Sequence, residues 1–389
     1  MKVCAVICEL NPFHNGHEHI FREAKIATGA DFIIALMSGN FVQRAEPAIM
    51  NEYSRAEVAL KLGADMVLEL PTVYSVASAD KFAQGSIDII NSLPFVTHIA
   101  LGVESKGELI TEIAQIQANE PEIFKARLRD NLDNGLPYPK AVTVACADVL
   151  SNKGFDKDAV ISVLQKPNNK LAVAYKKAMI KSGSNFVFTP ILRMEIEGRY
   201  QSASVLRQRW ITDGLSVRDF IPDISYKALL DEKGYAVNWD KYDALMLFAL
   251  RSATLAEISQ TPDCAEGIEH KIKELAGKSA SLGEFLAVFP TSRFTKSRVM
   301  RICLQTLLKI NKEMQNSYYI NSRLLGVRKE AFELMKELPE NIITNKNSET
   351  NILKKHLNVF DVDRRSSELY ALLCGKKENM FYRKLAVIN

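Results

Sequence analysis

Two histidines three residues apart, His14 and His17, stand in the run Asn11-Pro12-Phe13-His14-Asn15-Gly16-His17. Directly before it lies the apolar stretch Val3-Cys4-Ala5-Val6-Ile7-Cys8, and directly after it the amphipathic Ile20-Phe21-Arg22-Glu23-Ala24-Lys25. The order predicts a buried strand, a tight turn and a helix. Such a turn gathers two imidazoles and the unpaired N–H groups of a helix start where a polyphosphate would lie. The chemistry that fits is nucleotidyl transfer, attack on the α-phosphorus of ATP to form an adenylate. Negative charge then grows on the bridging oxygen that leaves with pyrophosphate, and fixed donors stabilise it. Gly16 lets the backbone approach a ligand closely, and Pro12 and Asn15 suit the turn. Two simpler readings compete: the histidines could cap the helix, or with His19 they could bind a metal. The metal reading lacks a nearby cysteine or carboxylate cluster, so no metal ligand is assigned.

Further segments suit phosphate handling. Ser38-Gly39-Asn40-Phe41-Val42-Gln43-Arg44-Ala45-Glu46-Pro47 reads as a loop in which Arg44 would neutralise phosphate charge. Gly102-Val103-Glu104-Ser105 offers a glycine against which a ring or ribose could pack. Ser202-Ala203-Ser204-Val205-Leu206-Arg207 places hydroxyls at a helix start and an arginine one turn on, a second phosphate clamp through Ser204 and Arg207. Pro167-Asn168-Asn169 and Arg193 interrupt apolar surroundings and are either ordinary loop residues or part of an adenosine pocket. Each segment also has a plain structural reading, and their order along the chain is what favours a joint one.

The elements that must position these residues follow from periodicity. Strand-like runs at 3–8, 31–37, 66–70 and 98–101 alternate with helical patterns near 18–28, 52–62 and 78–91. Alternation of this kind predicts a parallel, Rossmann-like sheet covered on both faces, with ligands beyond the carboxyl ends of its strands. Residues 106–182 read as mostly helical, a strand follows at 185–192, and a helix starts near Ser202–Ser204. Beyond about 236 nearly everything reads as helix, with breaks near 262, 290 and 340. The reading divides the chain into an α/β catalytic domain, 1–235, and a mainly helical domain, 236–389.

The 389 residues suffice for two or three domains, and 47% hydrophobic with 25% charged residues is ordinary for a soluble globular chain. The net charge of +4 decides little alone. Six scattered cysteines without a C-x-x-C pair argue against structural zinc and against a disulfide framework, and fit a reducing cytoplasm. No apolar run reaches the length of a membrane span, and the N-terminus reads as a strand, not a signal peptide.

The run Asn11–His17 resembles the H-x-G-H signature of the nucleotidyltransferase superfamily, and Ser204 with Arg207 resembles that superfamily's later serine–arginine motif. More specifically, Asn11 to His17, Ser38 to Ile49, Gly63 to Pro71, Leu101 to Ser105, Lys166 to Asn169, Arg193 and Ser202 to Arg207 together resemble the bacterial tRNA(Met) cytidine acetate ligases. The resemblance covers the first two hundred residues and extends through Ser292–Arg298 and Asn321–Gly326. It implies an enzyme that activates acetate with ATP to acetyl-adenylate, releasing pyrophosphate. The acetyl group then passes to the wobble cytidine of elongator tRNA(Met). Mg²⁺ is expected with the ATP.

Carried onto this chain, the resemblance implies nucleotide contacts from Ile7, Cys8, Glu9, Leu10, Asn11, Pro12, Phe13, His14, Asn15, Gly16, His17, Glu18, His19 and Ile20, with Gly102, Asn168 and Arg193. His14 and His17 would stabilise the leaving pyrophosphate, with Arg44, Ser204 and Arg207 beside them. Three positions depart from the family pattern: Ala45 stands where glycine is expected, Glu52-Tyr53 where a basic–aromatic pair is, and Lys170–Ala172 where Ile-Leu-Gly is.

A tRNA substrate requires a basic surface outside the ATP pocket. Arg293, Lys296, Arg298 and Arg301 lie together without an acidic residue among them, and Phe294 offers a ring for stacking. Lys354-Lys355-His356 and Arg364-Arg365 are further candidates, and neither DNA nor a membrane is expected as a partner. The competing functions are a nucleotidyltransferase for a small phosphorylated metabolite and a non-catalytic nucleotide- or RNA-binding protein.

Overall fold

The computed structural model describes residues 1–105, 107–193, 201–213, 216–232, 236–290, 294–316, 321–344, 357–377, 381 and 385–388. Five parallel strands form its centre: β1 (Val3–Cys8), β2 (Phe32–Ser38), β3 (Met66–Leu70), β4 (His98–Val103) and β5 (Val187–Leu192). Their spatial order is β3-β2-β1-β4-β5, so the winding reverses between β1 and β4. That reversal is where an open parallel sheet leaves a crevice beyond its strand ends. The residues of β1 to β4 are nearly continuous Val, Ile, Leu, Met and Ala, as expected of strands covered on both faces.

Helix α1 (Asn15–Thr28) follows β1, and Gly29 ends it in the left-handed conformation at φ 62°. Helix α2 (Glu52–Lys61) follows the long loop after β2, capped by the Asn51 side chain, which accepts from the N–H groups of Tyr53 and Ser54. Between β3 and β4 run α3 (Thr72–Ser75) and α4 (Ala79–Ser92). A helical insertion then separates β4 from β5: α5 (Gly107–Asn119), α6 (Glu122–Asp133), α7 (Tyr138–Ser151), α8 (Lys157–Gln165) and α9 (Pro167–Lys181). The expected helices and strands of the first two hundred residues are all present, with ends shifted by a few residues.

Helices α10 (Ala203–Thr212) and α11 (Asp223–Glu232) lead on to α12 (Trp239–Ser252), α13 (Leu255–Ser259), α14 (Ile268–Lys278), α15 (Leu282–Val288), α16 (Lys296–Leu307) and α17 (Lys312–Gln315). The C-terminal third is mostly helical, yet it also returns to the sheet. Strand β6 (Ser322–Arg328) pairs antiparallel with β3, and helix α18 (Phe332–Met335) follows it. The short β7 (Ile342–Ile343) pairs with β6, helix α19 (Leu357–Leu373) comes next, and β8 (Ala386–Ile388) also pairs with β6. These three strands were not expected from the sequence. Arg323 interrupts the apolar run of β6, and its burial is possible because carboxylates from β3 and α2 meet it, as described below.

Candidate active site

His14 is the N-cap of α1 in extended geometry. Its Nδ1 accepts the Gly16 N–H at 3.1 Å, while the His14 N–H donates to Nδ1 of His17 at 3.2 Å. The helix-cap reading is therefore correct, and it constrains the chemistry without displacing it. Burial, reinforced by the Arg193 charge, pushes the His14 imidazole down to about 3. Burial, with the charges of His14 and Arg193, holds His17 well below its usual value. Both rings are neutral near pH 7, and a neutral imidazole whose Nδ1 accepts carries its proton on Nε2. The stacked pair, ring centroids 3.8 Å apart, thus holds two Nε2–H donors at the positive end of α1.

The turn before α1 is held from outside by residues 203–232. Arg207, buried, donates to the Asn11 carbonyl at 2.9 Å and pairs with Glu46 at 3.2 Å. Ser225 donates to the Phe13 carbonyl at 2.8 Å, and Asn15 donates to the Asp219 carbonyl at 3.3 Å. Arg207 is therefore the tie between α10, the Asn11 turn and the Glu46 loop. Ser204 shares a hydrogen bond with Ser202, whose hydroxyl caps α10. Asn11 accepts the Ile49 N–H through Oδ1, and its buried Nδ2 has no hydrogen-bond partner. Arg44 is exposed, close enough to Glu9 for its charge to act on that carboxyl, which burial raises.

Across the crevice, Gly102 is the penultimate residue of β4. A Cβ there would lie 2.7 Å from Ile20 Cδ1 and 3.3 Å from Arg193 Cγ, so glycine lets α1, β4 and Arg193 close on one another. The Arg193 N–H pairs with the Val103 carbonyl. Asn169, fully buried, accepts the Glu104 N–H at 2.8 Å, and Asn168 donates to the Glu104 carboxylate at 2.8 Å. The start of α9 is thereby fastened to the loop after β4. His19 faces β5, within 3.4 Å of the Leu192 carbonyl. Ile7 and Cys8 finish β1, and burial pushes the Cys8 thiol up, which makes it unreactive. Among the described residues no group of three or more His, Cys, Asp or Glu is placed to hold a metal ion.

Sequence reading missed Arg55. Fully buried on α2, it donates to the carbonyls of Met50 at 3.0 Å, Glu9 at 2.6 Å and Ser38 at 3.0 Å, and also to that of Gly39. One guanidinium thus binds the loops leaving β1 and β2, which carry the turn and Arg44. Its sequence context, Ser54-Arg55-Ala56-Glu57, is that of a surface helix, so nothing signals the burial. The departures from the family pattern also find their places. Ala45 has φ +58°, the left-handed region that glycine enters freely and alanine does not. Glu52 and Tyr53 join a buried cluster in which Arg323 meets Glu69 at 2.5 Å, Glu52 at 3.5 Å and the Phe381 carbonyl at 2.8 Å.

The basic segment expected to meet RNA looks different in three dimensions. Arg301 forms an ion pair with Asp263 at 2.6 Å, with both side chains nearly buried. Arg298 donates to the Asp263 carbonyl at 3.0 Å and pairs with Glu266 at 3.3 Å. Phe294 is buried, its ring covered by the Arg298 guanidinium and by Phe289, so it is not available to stack on a base. Lys296 is exposed at the start of α16. Arg293 and Lys354-Lys355-His356 lie outside the described residues. Arg364 is exposed and pairs with Asp361, and Arg365 donates to the Leu308 carbonyl.

This geometry can be compared with known proteins. The HIGH Nucleotidyl Transferase family profile matches residues 1–384. A tRNA(Met) cytidine acetate ligase of Thermoanaerobacter sp. (strain X514) is 33% identical, over 96% of this chain and 95% of the relative. The chain belongs to the tRNA(Met) cytidine acetate ligase family. A second ligase of that name, from Clostridium perfringens (strain ATCC 13124), is 33% identical over 96% of both chains. The crystal structure of Thermotoga maritima TmcAL bound with alpha-thio ATP superposes with a TM-score of 0.93 at 29% identity, covering 100% of this chain and 99% of that one. The family resemblance expected from the motifs thus extends over nearly the whole chain, including the helical C-terminal third.

Proposed function

We propose that this protein is an ATP-dependent ligase that converts acetate to acetyl-adenylate and transfers the acetyl group to the wobble cytidine of elongator tRNA(Met). The observation that carries the reading is the stacked pair of His14 and His17 at the start of α1, with each Nδ1 used in the cap, each Nε2 left as a donor, and the Arg193 charge acting on both. A relative that binds an ATP analogue on the same fold, and relatives named for the same reaction, support it.

In the first step an acetate oxygen bonds to the α-phosphorus of ATP, and the bond from that phosphorus to the α–β bridging oxygen breaks. His14, His17 and the N-terminus of α1 stabilise the charge that pyrophosphate carries away. Arg193 and the exposed Arg44 add positive charge from the two sides of the crevice. Mg²⁺ would enter on the triphosphate and help neutralise it. In the second step the exocyclic amine of cytidine attacks the acetyl carbonyl, AMP departs, and the amine loses a proton. Arg207, Arg55 and Ser225 keep the turn and its flanking loops in place.

Isotope exchange between pyrophosphate and ATP tests the first step. Exchange that requires acetate supports the reading; exchange driven by a phosphorylated metabolite in place of acetate, or none with either, overturns it.

A further inference from the structure

Helix α9 combines a position at the site with an unusual charge pattern. The segment Lys166–Lys181 contains Lys166, Lys170, Lys176, Lys177 and Lys181 and no Asp or Glu. At 100° per residue, Lys166, Lys170, Lys177 and Lys181 fall within about 60° of one another. Buried Ala172, Tyr175, Ala178 and Met179 form the inner side and buried Val173 and Ala174 border this stripe, so the lysines make a narrow strip that is exposed at Lys170 and Lys181. Lys170 and Lys181 are exposed and form no ion pair with the described residues. Lys177 pairs with Asp80 at 3.0 Å, and Lys166 donates to the Glu104 carbonyl at 3.2 Å. Lys176 lies about 80° or more around the helix from the stripe, beyond the buried Val173, and covers the half-buried Phe188 ring of the edge strand β5 at 5.3 Å from its centroid. The helix begins at Pro167, next to Asn168, and runs about 22 Å away from the crevice.

Resting on the function proposed above, we propose that the lysine face of α9 is a surface that receives the phosphate backbone of the tRNA and directs the cytidine toward the adenylate. The occupant follows from charge complementarity: a helix segment with five lysines and no carboxylate of its own, Lys170 and Lys181 exposed on it, continuous with a site whose acceptor is an RNA, suits a polyanion. Arg298 and Arg301 of α16 are held by Glu266 and Asp263, and Lys177 of α9 by Asp80, whereas Lys170 and Lys181 stay outside the ion pairs of the described residues. The surface lies within residues 1–235, so the RNA would contact the catalytic part of the chain itself. Lys170, one of the departures from the family pattern, would be a contact particular to this chain.

The test uses the full-length protein and fluorescently labelled tRNA(Met), with K170E/K181E as the variant and K170A/K181A as the milder second. Dissociation constants are measured across a salt series, and acetate-dependent pyrophosphate exchange is measured without tRNA. The expected result is a tRNA dissociation constant raised about tenfold or more in K170E/K181E, with exchange within about twofold of wild type. The salt slope should fall by about 1.4–1.8, the value for two phosphate contacts. Wild-type tRNA affinity and salt slope in both variants would overturn the proposal while leaving the proposed function intact. A wild-type protein that exchanges pyrophosphate but binds no tRNA would instead overturn the RNA half of that function, and this surface with it.

Discussion

His14 and His17 hold each other through the backbone as well as through their stacked rings: His17 Nδ1 accepts the His14 N–H at 3.2 Å, and His14 Nδ1 accepts the Gly16 N–H at 3.1 Å. One nitrogen of each ring therefore builds the helix cap, and the other is left with a proton for a phosphate. The structural cap and the proposed catalytic donor pair are one arrangement seen from its two ends.

This relationship predicts a spectroscopic result. Of the six histidines, His14 and His17 should remain neutral in the free protein from about pH 5.5 to 8 and carry the Nε2–H tautomer, against an ordinary imidazole value of about 6.5. Nitrogen-15 NMR of histidine-labelled protein reads both. Titration of either ring near 6.5 would contradict the assignment.

Substitution separates the two ends. His14→Ala should lower acetate-dependent adenylate formation by a factor on the order of a hundred or more, the scale for one lost transition-state donor. It should also cost about 1 kcal/mol for the lost cap. His14→Asn keeps an N-cap side chain, so its stability should stay near wild type while the rate falls as far. Equal rates in His14→Asn and wild type would show that the ring only caps.

A buried guanidinium surrounded by carbonyls should be hard to replace. Arg55→Met strands the carbonyls of Glu9, Ser38, Gly39 and Met50, each worth about 1–3 kcal/mol when left unpaired in the interior. Some of that is recovered as the loops relax to water, so the expected loss is several kcal/mol in denaturant unfolding. A loss below about 1 kcal/mol would mean that the loops hold without it.

The buried cluster between β3 and α19 should make stability depend on pH. Burial and the Glu69 charge push the Asp363 carboxyl up to about 7, far above the roughly 3.9 of an unfolded chain. Between these values the folded protein holds the proton more tightly than the unfolded one, so this group's contribution to stability falls as pH rises through the interval and is constant above it. Asp363→Asn, which can still accept the Thr72 N–H, removes the dependence. Melting temperatures of variant and wild type should converge at about pH 4, with the variant higher at about pH 8. A wild-type advantage that grows with pH would contradict the assignment.

What the sequence revealed and what it hid have physical causes. The strands β1 to β5 and the turn at Asn11–His17 are local patterns, since hydrophobic runs and a histidine-bearing turn depend on nearby residues alone. Arg55, Arg301 and Arg323 depend on distant ones. Arg301 reads as a solvated or RNA-facing cation until Asp263 is seen beneath it. Arg323 conceals a strand until Glu69 and Glu52 are brought to it by β3 and α2. The left-handed Ala45 shows why the family pattern calls for glycine there, a backbone requirement that composition cannot show.

The proposed function requires one protein to join acetate to a cytidine of tRNA(Met) at the expense of ATP. Wild-type protein is incubated with ATP, Mg²⁺, carbon-14 acetate and tRNA(Met), and the RNA is then digested to nucleosides. Label should appear in acetylated cytidine, with one pyrophosphate released for each acetyl group transferred. Pyrophosphate release with no label in the nucleosides, or release indifferent to acetate, would contradict it.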